Sequence, residues 1–141
     1  MIRWMKSLKS ICKYMKYLLD THTLVWFING HNSLSPNARK AIEAPDSKRY
    51  TSIASVWEIA IKVSINKLEL DGPFSEMKKL ILGSDIEILP ILFEDILVVN
   101  SLPLHHRDPF DRIIISQSIT NELTIITKDP AFENYSIKLL W

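Results

Sequence analysis

Hydrophobic and polar positions change period at short, regular intervals along the chain. Short apolar runs of strand length alternate with longer stretches in which apolar residues recur at helical spacing. A first strand is predicted at Lys16–Leu19, ending in Asp20. A helix follows over about Thr23–Asn29, closed by Gly30 as the left-handed residue beyond its end. Ser35-Pro36 supplies an N-cap and a first-turn proline for a second helix to about Ala44, and Pro45-Asp46-Ser47 makes a turn. Arg49–Thr51 is a brief strand leading into a helix over about Ile53–Ile65. Lys67–Leu70 alternates and breaks at Asp71-Gly72-Pro73. The pattern then predicts a helix over Phe74–Leu82 ended by Gly83, a strand over Ile86–Ile91 and a helix over Phe93–Ser101. After a loop at Leu102–Arg107, Asp108-Pro109 opens a long helix to about Asn121. Thr124–Thr127 is a strand, Asp129-Pro130 a turn and Ile137–Trp141 a final strand.

Strands read as continuous apolar runs, joined by short connections through helices, define an α/β chain with a parallel sheet covered on both faces. Residues 15–141 carry this pattern and form one domain, whereas Met1–Tyr14 reads as an extension, disordered or a short amphipathic helix, ahead of Met15, an alternative start. It has neither the apolar stretch nor the cleavage site of a signal peptide. The lone Cys12 rules out an intrachain disulfide and fits a cytoplasmic setting, and no apolar run nears the roughly 20 residues of a membrane span. The formal net charge of +1 argues against a long basic duplex groove, but leaves room for a basic rim around an acidic centre.

The acids supply that centre. Ligands of doubly wound sheets sit outside the carboxyl ends of the strands, where the following helices begin. Asp20 ends the first strand, Asp129 follows the Thr124–Thr127 strand, Asp108 and Asp111 open the long helix, and Glu58 lies early in the helix after Arg49–Thr51. Carboxylates gathered at one edge repel unless a cation neutralises them, and hard oxygen ligands point to Mg²⁺ or Mn²⁺. No Cys/His cluster competes for zinc, since His105-His106 are adjacent. A cation held this way can activate water against a phosphodiester. Each acid also has a plainer use. Asp20 and Asp108 suit helix caps, Ser55-Val56-Trp57-Glu58 matches a capping box with Lys62 as an i+4 partner, and Asp129-Pro130 opens turns. Their common edge favours the metal site. Trp57 reads as core because of the area it buries, and the loop pair His105-His106 as neither ligand nor base.

Leu18-Leu19-Asp20-Thr21-His22-Thr23, Ser55-Val56-Trp57-Glu58-Ile59-Ala60-Ile61-Lys62, Leu102-Pro103, His106-Arg107-Asp108-Pro109-Phe110-Asp111-Arg112 and Thr127-Lys128-Asp129 occur in one order. In that order they resemble PIN-domain proteins of the VapC-like toxin group, over about Met15–Trp141. The resemblance implies a PIN-like three-layer sandwich with a central parallel sheet flanked by helices. It implies an Mg²⁺- or Mn²⁺-dependent ribonuclease that acts as a type II toxin, forms a homodimer and is neutralised by a cognate antitoxin. The family's acidic set falls on Asp20, Glu58, Asp111 and Asp129, with Asp108 an additional acid that shares a metal water or, the favoured reading, only caps. Thr21 and Thr127 are candidates to orient metal waters, and Arg107, Arg112 and Lys128 to hold RNA phosphates. A phosphatase of the haloacid-dehalogenase type would need an acid where His22 stands, and the three glycines form no phosphate loop. The remaining rival is a catalytically silent PIN-like module that binds RNA or protein.

Overall fold

The computed structural model describes residues 14–141, so Cys12 and the expected extension, Tyr14 apart, lie outside the described residues. Strand β1 (Met15–Leu19) is followed by helices α1 (Thr21–Ile28) and α2 (Pro36–Glu43), strand β2 (Ser47–Ser52), and helix α3 (Ile53–Ser64). After a 3₁₀ turn at Phe74–Glu76 come α4 (Met77–Gly83), β3 (Ile86–Leu89), α5 (Phe93–Ser101), α6 (Pro109–Thr120) and β4 (Thr124–Ile126). A second 3₁₀ turn at Pro130–Asn134 precedes β5 (Leu139–Leu140).

All pairings are parallel and the strand order is β3-β2-β1-β4-β5. Side chains alternate across the pleat, and both faces are buried. Tyr17, Leu19, Ile126 and Ile86 enter one core with Leu24 and Val25 of α1, Ala38 and Ile42 of α2, Ile59 of α3 and Ile81 of α4. Leu18 and Ile125 enter the other, with Ile114 and Ile115 of α6 and Phe132. The result is the expected three-layer α/β sandwich.

Local chemistry explains where elements start. Ser35 accepts the Ala38 N–H and Pro36 takes the first helical position, as the sequence predicts. Helix α1 begins two residues earlier than expected because Asp20 caps it, Oδ1 accepting the Thr23 N–H at 2.8 Å. Gly30, at φ 63°, ends it in the left-handed conformation. The capping box at Ser55–Glu58 does not form: Ser52 is the N-cap, accepting the Ala54 N–H, and Ser55 is buried inside α3. Strand β2, Ser-Lys-Arg-Tyr-Thr-Ser, is no apolar run; it is held by ladders to β1 and β3 on either side. Trp57, expected in the core, is 60% exposed. Helix α3 buries Ala54, Ser55, Glu58 and Ile59, which leaves Trp57 on the neighbouring face, edge-on to Phe110 with ring centroids 5.1 Å apart.

Candidate functional site

The chain runs outward from β1 through β2 to β3, then crosses back to place β4 on the other side of β1. The switch point between β1 and β4 opens a crevice at the carboxyl ends of the strands, the usual ligand position of such sheets. Asp20 stands there, one residue beyond β1, and Thr127 one residue beyond β4. The Asp20 N–H donates to the Ile126 carbonyl at 3.2 Å, and Thr23 Oγ1 donates to the same carbonyl at 2.9 Å. Thr127 Oγ1 donates to Asp20 Oδ2 at 2.5 Å and accepts the Asp129 N–H at 3.0 Å. One hydroxyl therefore ties Asp20 to the backbone of Asp129. The Asp129 carboxylate is exposed and caps the following 3₁₀ turn through the Ala131 N–H.

Glu58 reaches the edge from α3. It is buried, takes the Thr21 hydroxyl on Oε1 at 2.7 Å, and pairs through Oε2 with Lys62 Nζ at 2.8 Å. Ser55 Oγ, which the sequence reading took only as a cap, lies 3.1 Å from Thr21 Oγ1; its spacing of three from Glu58, used there for a capping box, was the available signal. From α6 come Asp108, exposed, with Oδ1 accepting the Asp111 N–H at 3.0 Å, and Asp111, partly buried.

The charges meet at Asp111. Burial pushes its carboxyl up to about 8, and repulsion from Asp108, Glu58, Asp129 and Asp20 adds to the rise. Asp20 is also raised, chiefly by burial, against the opposing hydrogen bonds from Thr127 and Thr23. Five acids from four separate elements therefore share one field. Among the described residues, no three His, Cys, Asp or Glu side chains form a ready-made metal cage. Several carboxylate oxygens instead face donors of the protein itself. The donors present fit a hard divalent cation, since they are oxygens and their mutual repulsion is what a cation relieves.

Three of the expected site side chains, two for metal waters and one for phosphate, are engaged by the protein itself. Thr21 and Thr127 are buried, and their hydroxyls are directed at Glu58 and Asp20. Arg112 is buried too, so it is no phosphate-facing rim residue. Its guanidinium donates to the carbonyls of Pro103, Val99 and Leu102 and to Tyr135 Oη, tying the end of α5 and the following loop to α6. Five planar donors suit that many acceptors, which explains an arginine there. Arg107 and Lys128 are exposed beside Asp108 and Asp129.

Fold and acidic edge together define a parallel α/β domain with acids from several elements along the carboxyl edge of its sheet. The sequence matches the PIN domain family over residues 17–138, and the chain belongs to that family. The search of curated proteins finds no match. Among solved structures, the fold resembles that in VapBC2 from Rickettsia felis bound to a DNA fragment from its promoter. That likeness has a TM-score of 0.68 and 20% identity, covering 89% of this chain and 98% of the other. Similar likenesses hold for DNA-bound VapBC from Salmonella typhimurium (TM-score 0.65, 17% identity, 89% and 97% covered). VapBC-1 from nontypeable Haemophilus influenzae is a third (TM-score 0.62, 17% identity, 89% and 97% covered). No helix among the described residues is long and apolar enough to cross a membrane.

Proposed function

We propose that this PIN domain is a metal-dependent ribonuclease acting in the cytoplasm as the toxin of a type II toxin–antitoxin pair. The observation that carries this reading is the field at Asp111, where Asp108 of its own helix and the acids of three other elements, Asp20, Glu58 and Asp129, raise its carboxyl at the sheet's switch point. Asp20, Glu58, Asp111 and Asp129 would hold Mg²⁺ or Mn²⁺, which when bound supplies charge neutralisation and an activated water for phosphodiester hydrolysis. Thr127 and Thr21 fix the Asp20 and Glu58 carboxylates, so they act on the cation's ligands rather than on RNA. Arg107 and Lys128, exposed beside two of the acids, are placed to take RNA phosphates as point contacts. Asp108 is assigned to capping.

Protein partners have surfaces to cover. Ile53, Trp57 and Ile61 form an exposed stripe along α3, and Phe93, Ile96 and Leu97 are exposed on α5. Contiguous apolar surface of this kind marks association sites. A cognate antitoxin and a second copy of the chain are the assigned occupants. The fold shared with VapBC complexes supports the same assignment.

The test is cleavage of a structured RNA with and without Mn²⁺ or Mg²⁺. Cleavage is expected only with the cation, and Asp20→Asn and Asp111→Asn are expected to abolish it while remaining folded. Wild-type protein that binds RNA but never cuts it would assign the silent-module reading instead.

A further inference from the structure

Next to the acidic edge lies a chain of polar groups that the proposed chemistry leaves unused. His106, in the loop between α5 and α6, presents its two ring nitrogens to different partners. Nδ1 is 2.7 Å from Tyr135 Oη. Nε2 is buried, has no hydrogen-bond partner among the described residues, and lies 3.4 Å from Asp111 Oδ2. Tyr135 Oη in turn accepts from Arg112 Nη1 at 3.1 Å.

The donors and acceptors along this chain fix its protons. An arginine only donates, so Tyr135 Oη must accept at one lone pair. Among the described residues, the Nδ1 of His106 lies within hydrogen-bond distance of that hydroxyl, and accepting its hydrogen places the imidazole's own hydrogen on Nε2. That nitrogen lies 3.4 Å from Asp111 Oδ2, close enough for charge but not aligned as a hydrogen bond in this structure. The reverse tautomer would leave the tyrosine hydrogen without this acceptor and, once Asp111 is ionised to join a cation, would turn a bare lone pair toward a carboxylate. Packing holds the ring in place: Tyr135 lies edge-on to it at 5.4 Å between centroids, with Phe132 at 6.5 Å. Arg112 also ties down the loop through the Pro103 and Leu102 carbonyls.

We propose that His106 is a positioning residue for Asp111: set by Tyr135 with its hydrogen on Nε2, it holds the Asp111 carboxylate in the orientation in which it joins the cation site. The inference rests on the metal-site reading above and adds to it. Tyr135 follows the 3₁₀ turn that Asp129 caps, so the same relay connects the elements carrying Asp111 and Asp129. Outer partners of ligating carboxylates typically change metal affinity by about 10–100-fold.

Two substitutions separate the nitrogens. The amide nitrogen of glutamine falls near the place of Nε2 as a donor, and the amide oxygen of asparagine near Nδ1 as an acceptor. His106→Gln therefore keeps a donor toward Asp111, whereas His106→Asn keeps only the Tyr135 side. Mn²⁺ binding is measured by calorimetry on the full chain without RNA, alongside melting temperature. His106→Asn is expected to weaken Mn²⁺ binding about ten-fold or more, and His106→Gln to stay within about three-fold of wild type. Tyr135→Phe, which removes only the hydroxyl, is expected to weaken it about three-fold and stands in if the His106 variants do not fold. Wild-type binding matched by His106→Asn or by Tyr135→Phe would overturn the relay alone. So would His106→Gln losing affinity while His106→Asn keeps it, the result of a purely structural bond to Tyr135. Wild-type protein that binds no Mn²⁺ would overturn the metal site itself, and the relay with it.

Discussion

Asp108 and Asp111 open the same helix, yet their surroundings differ. Asp108 is exposed with Oδ1 on the Asp111 N–H, a cap that asparagine reproduces and alanine cannot. Asp108→Ala should therefore lose about 1 kcal/mol in denaturant melts, while Asp108→Asn keeps both stability and RNA cleavage. Asp111 is the opposite case, a carboxyl raised from the ordinary 3.8 to about 8 by burial and neighbouring charge. A raised folded-state value means that the fold holds the proton more tightly than the unfolded chain does. The associated stability is full below about pH 4 and is lost as pH rises toward 8. In chelator, wild type should thus lose melting temperature relative to Asp111→Asn between pH 5 and pH 8. Parallel pH profiles for the two proteins would show that Asp111 does not carry the repulsion.

At the scale of elements, α6 and α3 each carry a residue whose role is reversed from its sequence reading. Arg112 sits among charged residues in the sequence, which suggests a solvated rim, but it satisfies carbonyls at the end of α5 and in the loop beyond. Arg112→Ala should cost about 3 kcal/mol in chemical denaturation, because buried acceptors lose a charged donor. A phosphate contact would instead lose RNA affinity at unchanged stability. Trp57→Ser, on the exposed stripe of α3, should barely move the melting temperature yet weaken antitoxin binding at least ten-fold by calorimetry. Most elements were legible in sequence because caps and breakers are local: Ser35-Pro36, Gly30 and Asp108-Pro109 mark the boundaries the structure shows. The gathering of acids at one edge was legible too, since strand ends dictate it. Strand β2 was only partly legible, because its partners rather than its composition hold it. The His106–Tyr135–Arg112 relay was not, because it depends on the path of a loop that no period encodes.

Across the whole molecule, the acidic edge concentrates like charge that Lys62 and a few hydrogen bonds only partly offset, within an otherwise well-packed sandwich. Binding to the folded state alone stabilises it by mass action, so millimolar Mn²⁺ should raise the melting temperature of wild type. Asp20→Asn and Asp111→Asn should blunt that rise, and equal shifts in all three proteins would mean the cation binds elsewhere. The switch-point topology also has a consequence for the order of events during synthesis. Asp20 and the hydroxyl of Thr127 that fixes it are 107 residues apart, and β1 finds β4 only after β2, β3 and α6 have been made. A chain emerging N-terminus first therefore releases α3 well before its acidic edge can close. A nuclease of the kind proposed would be inert on the ribosome until its last elements dock, and an antitoxin already present could meet it before it had ever been active.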